Sequence, residues 1–159
     1  MNLTYPQHAI ETLRKNGFRI TITREKVIQT LDQSNVPLSP YDVVDQIAKD
    51  AGKIDTVTVY RIFDCLEKTG LIHRILNSGK FIKCSILHDA DHSESDCCHH
   101  LAICDQCGAT REIHCHGPIE VENLPDMTII GHRLEFIGRC RECLADLTYP
   151  IKSARKKIP

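Results

Sequence analysis

Two Cys-x-x-Cys pairs in the second half of the chain constrain its fold more than any other feature. The first pair is Cys104 and Cys107, the second is Cys140 and Cys143, and 32 residues separate them. Two such pairs, each beside an apolar, strand-like run, present four thiolates with the spacing of a structural zinc site. The alternative is a pair of disulfides. We expect a zinc ion that clips two distant turns together and so stabilises a small domain.

Cysteine usage argues against the disulfides. The chain has nine cysteines, an odd number, and its N-terminal residues contain no apolar run typical of a secretion signal. No apolar stretch reaches the roughly 20 residues that a membrane-spanning helix needs. Cysteine-rich chains of reducing compartments bind metals more often than they form disulfides. We therefore expect a soluble, cytoplasmic protein that has no membrane partner.

Charge and metal-binding side chains divide the chain into two parts. Residues 1–83 hold 12 Lys and Arg against 9 Asp and Glu, whereas residues 84–159 hold 8 against 12. Seven of the nine histidines and eight of the nine cysteines lie in the second part. Two small domains with different roles fit this division. The predicted boundaries are a first domain at 1–84, a hinge at 85–98 and a second domain at 99–159.

Apolar spacing in the first part predicts helices followed by a hairpin. The expected helices cover 8–16, a segment capped by Thr23, a segment that begins at Ser39-Pro40, and 55–68. Two apolar runs, 71–76 and 81–86, flank the polar turn 77–80 and are typical of a β-hairpin. Short helices followed by a two-stranded hairpin are the plan of a winged helix.

The last predicted helix has the composition of a DNA-recognition helix. In a helix-turn-helix, the second helix enters the major groove, and its exposed N-terminal side chains contact base edges. Here the outward side chains offer hydroxyls, an aromatic ring and a guanidinium. They belong to Thr56, Thr58, Tyr60 and Arg61. Arg19 and Arg24, just before the second helix, are expected to contact phosphates. The alternative is a solvated polar face on a domain of small net positive charge.

The segment 55–61, Asp-Thr-Val-Thr-Val-Tyr-Arg, followed by Leu66 and by Gly-Leu-Ile at 70–72, resembles the recognition helix of the ferric uptake regulator family. The two cysteine pairs, with Gly108 after the first, are similar to that family's structural zinc site, and the resemblance extends over 5–145. It implies an α+β fold, with an N-terminal winged-helix DNA-binding domain and a small C-terminal α/β dimerisation domain that carries a four-cysteine zinc site.

The resemblance also implies a function. Members of this family are homodimeric, metal-dependent transcription repressors that control metal uptake genes. The expected partners are a second copy of the chain and double-stranded DNA with an AT-rich palindromic operator. The expected cofactor is Zn²⁺, with one structural and at least one regulatory ion in each protomer.

A regulatory metal site in the hinge is a further implication of the resemblance. In the zinc uptake regulator branch, the matching donors are His73 and Cys84 of the hairpin, a histidine, and Glu112. A thiolate suits a tetrahedral zinc site, whereas an iron(II) sensor is expected to use histidine and carboxylate ligands in a larger shell. We therefore expect a zinc-responsive repressor. The alternative is an iron(II)- or peroxide-responsive regulator of the same family.

Strand alternation separates the two histidines that follow the hinge. Neighbouring side chains of a strand point to opposite faces, so His99 and His100 cannot easily serve one site. We assign His99 to the regulatory site. An additional site is expected to use His100, His132 and Glu120 or Cys98, of which the family pattern implies His132. The residues that could replace His99 are His88, His92, Cys97 and Cys98.

A zinc enzyme is the alternative from another class. Its metal would keep three protein ligands and an open position beside a general acid or base. The candidate donors would be His99, His100, Glu112 and Glu120. No His-Glu-x-x-His or nucleophile motif accompanies them, and a DNA-reading half would have no role. We therefore expect that the protein is not an enzyme.

Overall fold

The protein, analysed as a computed structural model, is described at residues 3–52, 54–85, 99–114, 126, 128 and 133–145. Within these ranges, four helices and a hairpin form a first unit, and a three-stranded sheet with a short helix forms a second. The elements are α1 (Tyr5–Lys15), α2 (Ile22–Gln33), α3 (Pro40–Ala51), α4 (Thr56–Lys68), β1 (Ile72–Arg74), β2 (Phe81–Lys83), β3 (His99–Cys104), β4 (Thr110–His114), β5 (Glu135–Gly138) and α5 (Arg141–Ala145). The predicted α+β architecture, a winged helix followed by a small α/β unit, is confirmed. No helix in the same ranges has the length and apolar composition that crossing a membrane requires.

Capping interactions start α1 earlier than apolar spacing predicts. The helix begins at Tyr5 and not at His8. The Thr4 backbone N–H donates to the Gln7 Oε1 at 3.0 Å, as in a capping box, and Pro6 occupies the first turn, where its missing N–H costs nothing. Residues 5–7, which precede the predicted helix, are therefore helical because of these capping interactions.

The start of α2 also differs from the prediction. The cap is Thr21 and not Thr23, since the Thr21 Oγ1 accepts a hydrogen bond from the Arg24 N–H at 3.2 Å. The prediction of Thr23 was wrong because the sequence offers two hydroxyls two residues apart. The earlier one caps the helix, and Ile22, which is 73 % exposed, takes the first helical position.

The caps of α3 and α4 are confirmed. The Ser39 Oγ accepts from the Asp42 N–H at 3.1 Å, and the Asp42 Oδ2 accepts from the Ser39 N–H at 2.8 Å. At α4, the Asp55 Oδ2 accepts from the Thr58 N–H at 3.0 Å. Gly52 follows α3 with φ +89°, a conformation that other residues rarely adopt. These short-range bonds fix the residues at which α3 and α4 begin.

The hairpin is shorter than predicted, with three residues in each strand. The first strand ends early because residues 75–80 form the turn, in which the Ile75 N–H donates to the Lys80 carbonyl at 2.7 Å. Leu38 extends the hairpin on its other edge, because Leu38 and Phe81 exchange two backbone hydrogen bonds of 2.8 Å. An ion pair of 3.2 Å joins Lys80 to Asp42 of α3. The hairpin is thus fixed to the helices.

A hydrophobic core lies within the first unit. Side chains of α1 to α4 and of both hairpin strands contribute to it, and Phe63 of α4 packs edge-to-face on Phe81 with ring centroids 4.8 Å apart. Burying one such side chain contributes about 1.5–3 kcal/mol. Cys65 is also buried there, at 6 % exposure. The fully buried members include Leu13, Val27, Ile28, Val43, Val59 and Leu66.

Tyr5 joins α1 to the hairpin. Its hydroxyl donates to the Leu71 carbonyl at 3.0 Å, and burial raises the pKa of Tyr5 above its usual range.

Tyr5→Phe is expected to lower the free energy of unfolding by about 1 kcal/mol, because a buried hydrogen bond is lost. Denaturant unfolding measures the change. Tyr41→Phe, at a residue 60 % exposed, is the control, and equal losses in both variants would contradict this role of Tyr5.

The second unit has little buried surface in its described part. β3 is the central strand, antiparallel to β4 and parallel to β5. His100, Leu101 and Cys104 of β3 are buried, whereas Phe136 and Ile137 of β5 are 50 % and 56 % exposed. A sheet with so few buried side chains needs stabilisation from other interactions.

Candidate metal centres and recognition helix

The two Cys-x-x-Cys pairs meet at one end of the three-stranded sheet. Cys104 ends β3, Cys107 lies in the turn before β4, and Cys140 and Cys143 flank the start of α5. Their four sulfur atoms all lie within 4.8 Å of one another. The Cys107 and Cys140 sulfurs are 3.7 Å apart, far longer than a disulfide and close to the ~3.8 Å between two thiolates on one tetrahedral zinc.

The backbone around this cluster favours ionised sulfur. N–H groups of Cys107 and Cys140 point at the Cys104 sulfur and lower the pKa of Cys104 to about 6. A hydrogen bond with Cys140 raises the pKa of Cys143. Before a metal binds, the Cys104 sulfur is therefore largely a thiolate near neutral pH. A four-sulfur donor set at this spacing fits a structural zinc, whose binding would displace any protons that the sulfurs still carry.

A second cluster joins the two units of the fold. His73 comes from β1, Cys84 directly follows β2, and Glu112 lies on β4. One ligand atom of each lies within 4.8 Å of the others, and the His73 Nε2 is 3.0 Å from the Glu112 Oε1. Cys84 is 4 % exposed, and the side chains of His73 and Glu112 are 14 % and 5 % exposed. A nitrogen, a thiol and a carboxylate in a shielded pocket form a donor set that fits a divalent metal.

Hydrogen bonds hold Glu112 in its ionised form. Burial raises the pKa of Glu112, but hydrogen bonds from His73 and Ser85 outweigh it and bring the pKa down to about 2. The Ser85 backbone N–H and Oγ–H donate to the Glu112 Oε2 at 2.9 Å and 2.6 Å. Glu112 is therefore a carboxylate at neutral pH, the form that binds metals.

The opposite edge of the sheet also contacts the hairpin. The Leu76 backbone N–H, in the hairpin turn, donates to the Glu135 Oε1 of β5 at 2.5 Å. Glu112 lies on β4, the other edge strand. Among the residues that the structure describes, one carboxylate from each edge of the sheet therefore contacts the hairpin or its turn.

Part of the predicted site lies outside the described residues. This holds for the side chain of His99 and for His88, His92, Cys97, Cys98, Glu120 and His132. His100 is described: it is 3 % exposed, and its Nδ1 accepts a hydrogen bond from the Leu134 N–H at 3.3 Å. A neutral ring with Nδ1 as acceptor carries its proton on Nε2. Metal binding by His100 would require this ring to change its hydrogen bonding, and the additional site stays a prediction.

The N-terminal part of α4 presents a mixed polar and aromatic surface. Thr58, Tyr60 and Arg61 are exposed and Thr56 is half-buried. Two residues of this surface were not predicted. Val57 is 55 % exposed, and the Tyr41 ring of α3 packs edge-to-face against Tyr60, with centroids 6.1 Å apart. Only the packing of α3 on α4 shows that Tyr41 belongs to this surface.

The two arginines predicted to contact phosphates differ in their surroundings. Arg19 is exposed. The Arg24 guanidinium is half-buried, donates from Nη1 to the Arg19 carbonyl, and lies 5.9 Å from the centre of the Phe18 ring. Arg24 thus fixes the backbone that carries Arg19. Both assignments to phosphate remain predictions.

Comparison with known proteins agrees with this architecture. The model of the ferric uptake regulator family matches residues 15–136. The peroxide operon regulator of Bacillus subtilis is 29 % identical over 144 residues, which cover 86 % of this chain and 92 % of that protein. The ferric uptake regulation protein of Staphylococcus epidermidis is 31 % identical over 140 residues, which cover 85 % and 93 %.

A solved structure shares the fold. A zinc uptake regulator complexed with zinc and DNA superposes with a TM-score of 0.68 at 21 % identity, over 91 % of this chain and 97 % of that one. The chain is similar in sequence to the ferric uptake regulator family, and it has the winged helix and the cysteine cluster described above. Together these features define a metal-responsive, DNA-binding transcription regulator and not an enzyme. The chain belongs to the ferric uptake regulator family.

Proposed function

We propose that the protein is a zinc-responsive transcription repressor that acts in the cytoplasm as a homodimer and controls metal uptake genes. The observation that carries this proposal is the cluster of His73, Cys84 and Glu112, whose donor atoms come from both units and lie within 4.8 Å of one another. The proposed organisation is a DNA-binding domain at 1–84, a hinge at 85–98 and a dimerisation domain at 99–159.

The donor set of the hinge cluster favours zinc over iron(II). Cys84 supplies a soft ligand, and four-coordinate zinc sites with mixed sulfur, nitrogen and oxygen ligands are common. His99 is the proposed fourth ligand, because β3 begins there and is paired directly with β4, which carries Glu112. Since relatives similar to this chain include regulators named for peroxide and for iron, an iron(II)- or peroxide-responsive protein is the competing function.

A second zinc ion is proposed for the four-cysteine cluster, where it would be structural. The described part of the second unit buries few side chains, so a metal that joins Cys104 and Cys107 to Cys140 and Cys143 would supply much of its folding energy. This gives one structural and at least one regulatory zinc in each protomer.

A group of exposed apolar side chains in the second unit supports the proposed homodimer. Three of them lie on β5 or directly before it, at an edge of the sheet, and the fourth lies on α5; a second copy can cover them. Their exposure ranges from 38 % to 56 %, and they are Leu134, Phe136, Ile137 and Leu144. Dimerisation through this surface would present two recognition helices related by a two-fold axis, which matches a palindromic, AT-rich operator.

Zinc binding would couple to DNA affinity through the angle between the units. His73 and Cys84 belong to the hairpin, and Glu112 belongs to the sheet, so a shared ion restrains one unit against the other. In a dimer this restraint sets the distance between two recognition helices, which must fit half-sites about 34 Å apart or a multiple of it. A closed, DNA-binding state would be selected by its greater affinity for zinc.

A metal titration of DNA binding tests this proposal. Protein with its structural zinc loaded is titrated with zinc or with iron(II) under anaerobic conditions, and operator binding is followed by fluorescence anisotropy. We expect zinc to raise the affinity at lower free concentration than iron(II). A response to iron(II) alone, or loss of binding after peroxide treatment of the iron-loaded protein, would favour the competing function.

Base recognition is expected to rest on Tyr60 and Arg61. Each alanine variant should lose about 1–3 kcal/mol of discrimination at the base it contacts. Arg19→Ala and Arg24→Ala should instead weaken binding to all sequences alike. Each should also reduce by about one the slope of log affinity against log salt concentration, which counts the ions released on binding. Competition binding with single-base operator variants at several salt concentrations measures both effects.

All four variants should retain wild-type zinc content, since none of these side chains lies in either cluster. Wild-type selectivity of both Tyr60→Ala and Arg61→Ala would show that α4 does not read the bases.

A further inference from the structure

We propose that Ser85 is a positioning residue that makes Glu112 a one-oxygen ligand and so tunes the hinge cluster to a four-coordinate metal ion. This inference rests on the proposed regulatory role of that cluster. Ser85 lies directly after Cys84, so two consecutive residues would supply one ligand and orient another.

The contacts of Ser85 concentrate on one oxygen of the carboxylate. Its backbone N–H and its Oγ–H both donate to the Glu112 Oε2, at 2.9 Å and 2.6 Å. A carboxylate oxygen has two lone pairs, so these two hydrogen bonds occupy Oε2 fully. The second bond is short, as is usual for a hydroxyl that donates to a charged oxygen.

The other carboxylate oxygen faces the cluster. The Glu112 Oε1 is 3.0 Å from the His73 Nε2, and the ligand atoms of His73, Cys84 and Glu112 lie within 4.8 Å of one another. The two oxygens thus have separate roles: Oε2 is held by the hinge backbone and hydroxyl, and Oε1 is directed to the other donors. The side chain is 5 % exposed, so water competes little for either oxygen.

This division matters for metal choice because a carboxylate can bind through one oxygen or two. Binding through two oxygens raises the coordination number, which suits larger ions with oxygen-rich shells, whereas zinc prefers four ligands. An oxygen committed to two hydrogen bonds is withheld from the metal. Ser85 would therefore favour zinc over manganese(II) and iron(II) by restricting Glu112, in addition to the preference from Cys84.

The test compares Ser85→Ala with Ser85→Thr, which restores the hydroxyl. Ser78→Ala is the control, since Ser78 is an exposed hairpin serine outside the cluster. Dimeric protein with zinc in its cysteine cluster is titrated with cobalt(II), and the visible absorption reports the coordination number, because four-coordinate cobalt absorbs much more strongly than six-coordinate cobalt. Competition with chelators then gives the zinc and manganese(II) affinities.

We expect Ser85→Ala to weaken cobalt absorption and to lower zinc affinity about 10- to 100-fold, the usual effect of removing a group that orients a ligand. Manganese(II) affinity should fall less, so the ratio of the two affinities should decrease. Ser85→Thr and Ser78→Ala should resemble the wild type.

Equal cobalt spectra and equal affinity ratios in Ser85→Ala and wild type would overturn the inference. So would a fall of both affinities by the same factor, because that is the result of a merely structural contact between the units. Cys84→Ser separates this failure from failure of the proposed function. If Cys84→Ser leaves the cobalt spectrum unchanged, the hinge cluster is not the metal site at all.

Discussion

Cys140→Ser is expected to release one zinc ion per protomer, abolish dimerisation and unfold the second unit. The physical reason is that this zinc would join a turn after β3 to the start of α5, and the described part of the sheet has few other buried contacts. Apparent binding energies of structural zinc are about 10–16 kcal/mol in small zinc-dependent folds, which exceeds the stability of a typical domain. Zinc analysis, analytical ultracentrifugation and circular dichroism measure the three effects.

The matched control is Cys65→Ser, which makes the same chemical change at a buried cysteine of the first unit. That variant should keep its zinc and its dimer, with only a modest loss of stability. The first unit should remain folded in Cys140→Ser, since its hydrophobic core lies entirely within residues 5–81. A well-folded Cys140→Ser dimer with wild-type zinc content would refute the structural role of the cluster.

Cys84→Ser is expected to abolish the zinc dependence of DNA binding while the fold and the dimer remain intact. A serine hydroxyl is a poor zinc ligand, so the hinge cluster would lose its sulfur donor and the restraint between the two units. Coupling between two binding sites is typically worth about 1–3 kcal/mol, or 5- to 150-fold in affinity. The ratio of operator affinity with zinc to operator affinity without zinc should therefore fall from this range to about one, which means that zinc no longer changes DNA binding.

Operator binding measured across a zinc titration, in protein whose structural zinc is loaded, tests this expectation. The Cys65→Ser variant again serves as the control and should respond to zinc like the wild type. Because Cys84 is buried, thermal unfolding of the metal-free proteins must show that Cys84→Ser is folded. Equal zinc responses of Cys84→Ser and wild type would contradict the proposed mechanism.

The features that the sequence predicts well depend on short-range interactions. Ser39 with Asp42, and Asp55 with Thr58, are three residues apart, and their hydrogen bonds define the starts of α3 and α4 wherever those helices pack. The spacing within each cysteine pair likewise places two sulfurs on one turn. Where the sequence offers two equivalent short-range solutions, as with Thr21 and Thr23, the local pattern does not choose between them.

The hinge cluster shows what spacing cannot predict. His73 and Cys84 lie on a hairpin, and Glu112 lies on a separate sheet, so a resemblance to a family indicated these donors and no local pattern did. Ser85 was missed because its partner, Glu112, is 27 residues further along the chain. A serine after a cysteine carries no local signal for a carboxylate ligand.

The sequence by itself therefore determined the four helices of the first unit, the caps of α3 and α4 and the two cysteine pairs, because each depends on residues within one or two turns of chain. Only the tertiary structure decided how the hairpin meets the sheet: Ser85 and His73 on Glu112, Leu76 on Glu135. It also packed Tyr41 of α3 against Tyr60 of α4. These contacts form only after separate elements have packed, since their geometry depends on the three-dimensional arrangement of several segments at once.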